Sequence, residues 1–257
     1  MVRLTDSHCH LAMYEGADEA LARSRSAGVA GVVVPATRLE DLDECVRIAE
    51  SNDDVWAAVG FHPHEAKDFD DAAAEKVERL ASHPRVVAIG EIGLDYHYDH
   101  SPREIQREVL ARQIAIARRV ALPVIIHNRE STGDLVEMLE GSGAAGVRGV
   151  LHSFTESYEV AARLIDRGFF ISFSGIITFR SADALRDVAK RLPRDRVLIE
   201  TDTPYLAPVP FRGRTNEPAF VARVAETLAG LWAIPQDEVA EITTRNFESA
   251  FGVRVMR

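Results

Sequence analysis

The sequence predicts an α/β chain folded as a single (β/α)8 barrel of TIM type over residues 1–257, with additional helices at its C-terminal end. Its 257-residue length matches the roughly 250 residues that such a barrel needs. Eight short β-rich runs alternate with amphipathic stretches of helical spacing, a pattern that places a parallel sheet inside a layer of helices. Imidazole and carboxylate side chains recur at the ends of those runs, and in this fold the strand ends converge on one face.

In chain order the β-rich runs are VRLTDSHC, AGVVVPA, VWAAVGF, VVAIGEI, PVIIHN, RGVLHS, FFISFSG and VLIETD. Helical segments at 17–27, 39–51, 70–82, 102–121, 131–140, 156–167 and 181–191 fall between them, with acid-rich starts. The segment over 102–121 is the best marked. Ser101 precedes Pro102, and Glu104 follows, in a capping-box arrangement. Ile105, Val109, Leu110, Ile114 and Ala117 then form the stripe that faces the core. Residues 203–216, with Pro204, Pro208, Pro210 and Gly213, are expected to loop over the barrel mouth. Residues 217–231 and 235–250 follow as terminal helices, Pro235 starting the last.

Hydrophobic residues make up 46% and charged residues 27% of the chain, the balance of a globular protein with a sizeable core. Forty acids against thirty Lys plus Arg give a net charge of -10. Sequence-independent coating of duplex DNA needs an extended cationic face, so that mode is excluded. An acidic site that gathers cations fits better. Cys9 and Cys45 form no close CxxC pair, so neither a disulfide framework nor a thiolate zinc site is expected, and the reducing cytoplasm is the expected setting. No signal-type apolar run opens the chain, and no membrane partner is expected. A monomer is expected. GxxxxGK[ST] does not occur, and the one GxGxxG match, GSGAAG at 141–146, follows a helical segment rather than a β-rich run, so no competing nucleotide-loop reading arises.

The first strand ends at His8 and His10, the third at His62 and His64, the fourth at Glu91, the fifth at His127, the sixth at His152 and the eighth at Asp202. Side chains alternate across a strand, so His8 and His10 can enter the mouth together while Cys9 points away. Such imidazole and carboxylate ligands suit zinc, manganese or a related divalent ion, with magnesium possible at a carboxylate-rich position. Gly90 and Gly93 allow close packing or unusual backbone angles beside Glu91.

The runs DSHCHL, VGFHPH, GEIGLDY, PVIIHNR, LHSF, IETDTPYLAP, FRGRTNEP and TTRN, in this order and over nearly the whole chain, resemble the motifs of the TatD family of metal-dependent deoxyribonucleases. Through that family the chain resembles the wider amidohydrolase superfamily. The resemblance implies that His8, His10, Glu91 and Asp202 surround one of two divalent metal ions. Glu91, His127 and His152 surround the other, with Glu91 as the bridge. It further implies catalytic roles for Glu91 and Asp202, the latter accepting or relaying a proton, and it places His62 at the mouth. Two cations a few Å apart would activate a water and neutralise charge on an attacked phosphate.

The activity so implied is hydrolysis of DNA, as an exonuclease on accessible single-stranded ends. His62, His64, Arg129, Arg212, Arg214 and Tyr205 are the expected substrate contacts, because arginine pairs with phosphate and an aromatic face stacks on an unpaired base. Phe61, Tyr96 and Phe154 are further stacking candidates, although an aromatic in a barrel loop more often packs than stacks. Glu200 is expected behind the ligands. Asp95 is expected to organise the Glu91 loop, and Asn216 and Glu217 to cap a helix or, as the lesser alternative, to approach the substrate. The alternative activity is that of a deacylase or amidohydrolase acting on an ester or amide such as an aminoacyl-tRNA, since the same site can attack a carbonyl. Retention of every implied ligand speaks against an idle metal-binding scaffold.

Overall fold

Each β-rich run pairs with the next one in sequence. In the computed structural model, which describes residues 3–256, the strands are β1 (Leu4–Asp6), β2 (Val29–Pro35), β3 (Val55–Val59), β4 (Val86–Asp95), β5 (Val124–Arg129), β6 (Gly149–Leu151), β7 (Phe169–Phe173) and β8 (Val197–Ile199). They form one eight-stranded sheet in sequence order, every neighbouring pair parallel. Parallel neighbours need a crossover. It comes from α1 (Ala17–Ser26), α2 (Asp41–Glu50), α3 (Asp71–Leu80), α4 (Arg103–Val120), α5 (Thr132–Glu140), α6 (Tyr158–Ile165) and α7 (Asp183–Arg191). The expected barrel of TIM type is therefore present, and α8 (Val221–Trp232) and α9 (Gln236–Phe251) are its additional C-terminal helices.

Strands covered on both faces read as continuous apolar runs, and β3, β4 and β7 are buried at every residue. Val33, Ala58, Ala88, Ile125, Val150, Phe170 and Leu198, one from each of seven strands, share a core cluster with Phe247 and Phe251 of α9. The last helix thus plugs the barrel interior, with Phe247 5.6 Å from Trp56 and 5.0 Å from Phe251 between ring centroids.

The barrel is closed between β8 and β1 by a seam of single bonds. Ser7 N donates to Ile199 O at 3.0 Å, Asp202 N to His8 O at 2.9 Å, and His10 N to Thr203 O at 2.8 Å. The Asp6 carboxylate locks this seam, accepting from Thr201 N at 2.9 Å, Thr201 Oγ1 at 2.5 Å and His8 N at 3.2 Å. Burial pushes the Asp6 carboxyl up to about 8, against those three donors, which favour the charged form. Asp6→Ala would orphan two buried amides, each at about 1–3 kcal/mol, while the Thr201 hydroxyl keeps Thr203 Oγ1 at 2.8 Å. The expected loss is about 2–6 kcal/mol and is read from the urea midpoint. Both sides of the seam carry residues of the expected site, so its register sets their spacing.

The capping box at Ser101 is not formed. Helix α4 begins at Arg103 with Pro102 as its N-cap. The Ser101 hydroxyl instead donates to His64 O at 2.8 Å and accepts from Lys67 N at 3.1 Å, tying the loop after β3 to the loop after β4. Tertiary partners outcompeted the local cap.

Candidate metal centre

Glu91 sits within β4 at the mouth, 2% exposed, and its two oxygens face different histidines. Oε2 lies 3.2 Å from His8 Nε2 and 3.4 Å from His10 Nε2. Oε1 lies 2.8 Å from His152 Nε2, 3.0 Å from His127 Nδ1 and 3.6 Å from His62 Nε2. Asp202 Oδ1 joins the first half, 3.5 Å from His10 Nε2 and 3.9 Å from His8 Nε2. The six side chains named as ligands from the sequence are therefore brought together, with Glu91 offering one oxygen to each half. Donors about 2.0–2.1 Å from a tetrahedral ion lie about 3.3 Å from one another. The facing nitrogens fit that spacing: 3.1 Å for His8 and His10, 3.3 Å for His127 and His152. His62, expected only as a substrate contact, groups with Glu91 and His127 closely enough to serve as a ligand too.

Among the described residues no Lys or Arg pairs with Glu91 or Asp202, although both are buried. Burial alone would push the Glu91 carboxyl up, but the fields of His152, His62 and His8 outweigh it and hold it well below the usual carboxylate range. Asp202 behaves alike, with the bond to His10 as the leading opposing influence. Buried carboxylates with no Lys or Arg partner, balanced only by imidazoles that give up their protons to a metal, are the electrostatic setting that a divalent ion satisfies. The donor set suits zinc or manganese.

A further shell of carboxylates aims the imidazoles. Glu200 takes His152 Nδ1 at 3.2 Å and the amide of Ser153 at 2.7 Å, leaving His152 Nε2 for the centre. Asp95 Oδ2 takes His127 Nε2 at 3.1 Å and His64 Nε2 at 3.0 Å, leaving His127 Nδ1 for the centre. Asp95 Oδ1 accepts from the amides of His97 and Tyr98, 3.0 Å each. Two glutamines on α4 hold the loops from behind. Gln106 donates to Asp95 O and accepts from Asp95 N, and Gln113 does the same for Phe61. Outer partners of this kind are worth about 10–100-fold in metal affinity. Glu200→Gln is expected to weaken divalent-ion binding by about that factor, read by calorimetric titration, with near-native secondary structure.

The mouth is a cavity of about 690 Å³ in which His10, His62, Glu91, His127, His152 and Asp202 are reachable. Its backbone is unusual: Asp202 has φ 61 and Ser153 φ 42, left-handed values that cluster at functional sites. His64, Arg129 and Tyr205 line the cavity, as does Tyr98, half-exposed and not singled out from the sequence. Arg212 and Arg214 are not among the lining residues. The Arg212 guanidinium lies over Phe179, 3.9 Å from its centroid, and Arg214 is exposed.

For three of the aromatics, packing, the commoner reading of a loop aromatic, is what the fold shows. Phe61 is buried against Phe69 and Phe154 against Phe173, while Tyr96 bonds Asp134 through its hydroxyl at 2.6 Å. The capping role of Asn216 and Glu217 is corrected. Asn216 donates to Thr201 O at 2.7 Å and Tyr205 O at 2.6 Å, pinning the mouth loop to the end of β8, and Glu217 pairs with Arg23 at 2.6 Å. Neither side chain caps the turn that follows.

An eight-stranded barrel with imidazole and carboxylate side chains gathered at the C-terminal ends of its strands has the architecture of the metal-dependent barrel hydrolases. The chain belongs to the TatD family of such hydrolases, residues 5–252 matching the family described as TatD related DNase. It is 42% identical over 253 residues to the uncharacterized metal-dependent hydrolase YabD of Bacillus subtilis, covering 97% of this chain and 99% of that one. It is 41% identical over 260 residues to the uncharacterized metal-dependent hydrolase YcfH of Escherichia coli, covering 99% and 97%. The crystal structure of YjjV, a TatD homolog from Escherichia coli, superposes with a TM-score of 0.92 at 33% identity over 98% of each chain. No helix among the described residues is long and apolar enough to cross a membrane.

Proposed function

We propose that this protein hydrolyses DNA phosphodiester bonds as an exonuclease acting on accessible single-stranded ends, with two divalent ions held in the halves that Glu91 divides. The observation that supports it best is the split of the Glu91 carboxylate between two imidazole sets, with Asp202 beside one of them only. Bound there, divalent cations would supply charge neutralisation at a phosphoryl oxygen and its leaving group and lower the pKa of an attacking water. Asp202, 8% exposed, lining the mouth and set beside one imidazole set only, would accept the attacking water's proton and pass it to the leaving oxygen. Glu91 holds the two imidazole sets in register. Arg129 meets the phosphate chain at the rim. We place the enzyme in the reducing cytoplasm, consistent with two buried free thiols, Cys9 and Cys45, and we expect it to act as a monomer.

The test is a panel of end-labelled single-stranded DNA, duplex DNA, RNA, aminoacyl-tRNA and simple esters, assayed with protein stripped by chelator and then reloaded. Single-stranded DNA should shorten from an end, stop on chelation and resume with zinc, manganese or magnesium. Raising salt should weaken DNA binding with a shallow slope of about -0.7 per neutralised phosphate, because few cations line the mouth. Faster turnover of an ester or aminoacyl-tRNA than of DNA would install the deacylase activity instead. Full activity in rigorously metal-free protein would remove the mechanism altogether.

A further inference from the structure

We infer that Arg129, held in place by Tyr98, forms a subsite for the phosphate that flanks the scissile one, so that the enzyme requires a second charged linkage in its substrate. This rests on the phosphodiester reading. Arg129 ends β5, two residues beyond His127. Successive residues on a strand advance about 3.3 Å and alternate in direction, so Arg129 lies on the face of His127 and about 6.6 Å further out. That offset is comparable to the spacing of successive phosphates along an extended strand. A scissile phosphate at the Glu91 cluster would bring its neighbour to Arg129.

The guanidinium is pre-positioned. It lies 4.7 Å from the centroid of the Tyr98 ring, and both residues line the mouth. Tyr98 is itself stacked on His100, 5.5 Å between centroids and 5° between planes. The turn carrying Tyr98 is fixed by Asp95 Oδ1, while Oδ2 of the same carboxylate holds His127. One side chain therefore indexes both a ligand of the metal centre and the ring under Arg129. The adjacent Glu130 is engaged by His97 at 2.7 Å, and no carboxylate among the described residues is within ion-pair distance of Arg129. A guanidinium on an aromatic face, without a carboxylate partner, beside a cluster that binds phosphate is suited to a second phosphate.

The experiment uses short single-stranded oligonucleotides that carry a neutral methylphosphonate at the linkage next to the scissile bond, on one side or the other. For the wild-type protein, one of these substitutions should raise KM about tenfold or more. Arg129→Ala and Tyr98→Ala should each raise KM for the normal oligonucleotide and abolish the penalty of the neutral linkage. Tyr98→Phe, which keeps the ring, should restore it. The same ratio should appear without turnover, in fluorescence anisotropy of labelled oligonucleotides whose scissile linkage is a non-hydrolysable phosphate mimic, on metal-loaded protein. An Arg129→Ala variant as sensitive to the neutral linkage as wild type would overturn the subsite, and undiminished sensitivity in Tyr98→Ala would overturn the role of Tyr98. Wild-type protein that cleaves DNA without any methylphosphonate penalty overturns this inference alone. Wild-type protein that cleaves no DNA overturns the phosphodiester reading and this inference with it.

Discussion

Glu91→Gln is expected to lower kcat/KM by more than about 100-fold, beyond the 10–100-fold that outer partners of a metal ligand cost. The reason is geometric. Oε1 serves His152, His127 and His62, and Oε2 serves His8 and His10. An amide has one oxygen, so one half must face an N–H group where it had an acceptor. The charge that the imidazoles stabilise is lost as well. Gln matches Glu in size, so the barrel should still fold, and the loss should appear as metal occupancy measured by native mass spectrometry together with turnover. Unchanged occupancy and turnover would mean that Glu91 does not bridge.

Much of this centre was legible in the sequence because its residues obey the simplest periodicity in proteins. His8 and His10 flank a single residue and both face Glu91, while the intervening Cys9 packs in the core, as alternation requires. Glu91, His127, His152 and Asp202 each follow an apolar run, and the barrel brings such strand ends together. Where alternation failed, the backbone explains it. Phe154 has the parity of His152, but β6 ends at Leu151 and Ser153 adopts φ 42, so alternation no longer holds there and Phe154 enters the core. For Phe61 alternation holds: it neighbours His62 and faces the other way, against Phe69.

Other residues left only faint traces. Gln106 and Gln113 interrupt the core-facing stripe of α4, and both are 1% exposed. A polar residue on an apolar stripe signals a buried hydrogen-bonding task, but the sequence does not say that the task is to hold the Asp95 and Phe61 backbones. Tyr98 lies in an irregular turn whose shape depends on Asp95, so no periodicity pointed to it. The proline-rich loop has no periodicity to orient its arginines, and Arg212 turns to the Phe179 ring.

Gly93→Ala should damage stability and metal binding together, and unequally across the two halves. Gly93 pairs with His127 in the β4–β5 register and has φ 152, a conformation that side chains rarely adopt. A methyl carbon there would overlap the His127 carbonyl oxygen and sit 2.9 Å from the His127 nitrogen. Both obstacles are backbone atoms in a buried sheet, so neither can rotate away. Separating the strands would draw His127 Nδ1 from Glu91 and Nε2 from Asp95, while His8, His10 and Asp202 hang on the seam with β8 and stay in place. The expected cost is about 3–5 kcal/mol in urea unfolding. On the two-ion reading, calorimetric stoichiometry should fall from two ions toward one, the survivor being bound by the His8–His10 half. Gly133→Ala is the matched control, since it lies in α5 with nothing within 4 Å of an added carbon. It should leave stability unchanged or raise it by up to about 1 kcal/mol. If Gly93→Ala matched that control in stability and retained both binding events, the close approach of β4 to β5 would not be what positions His127.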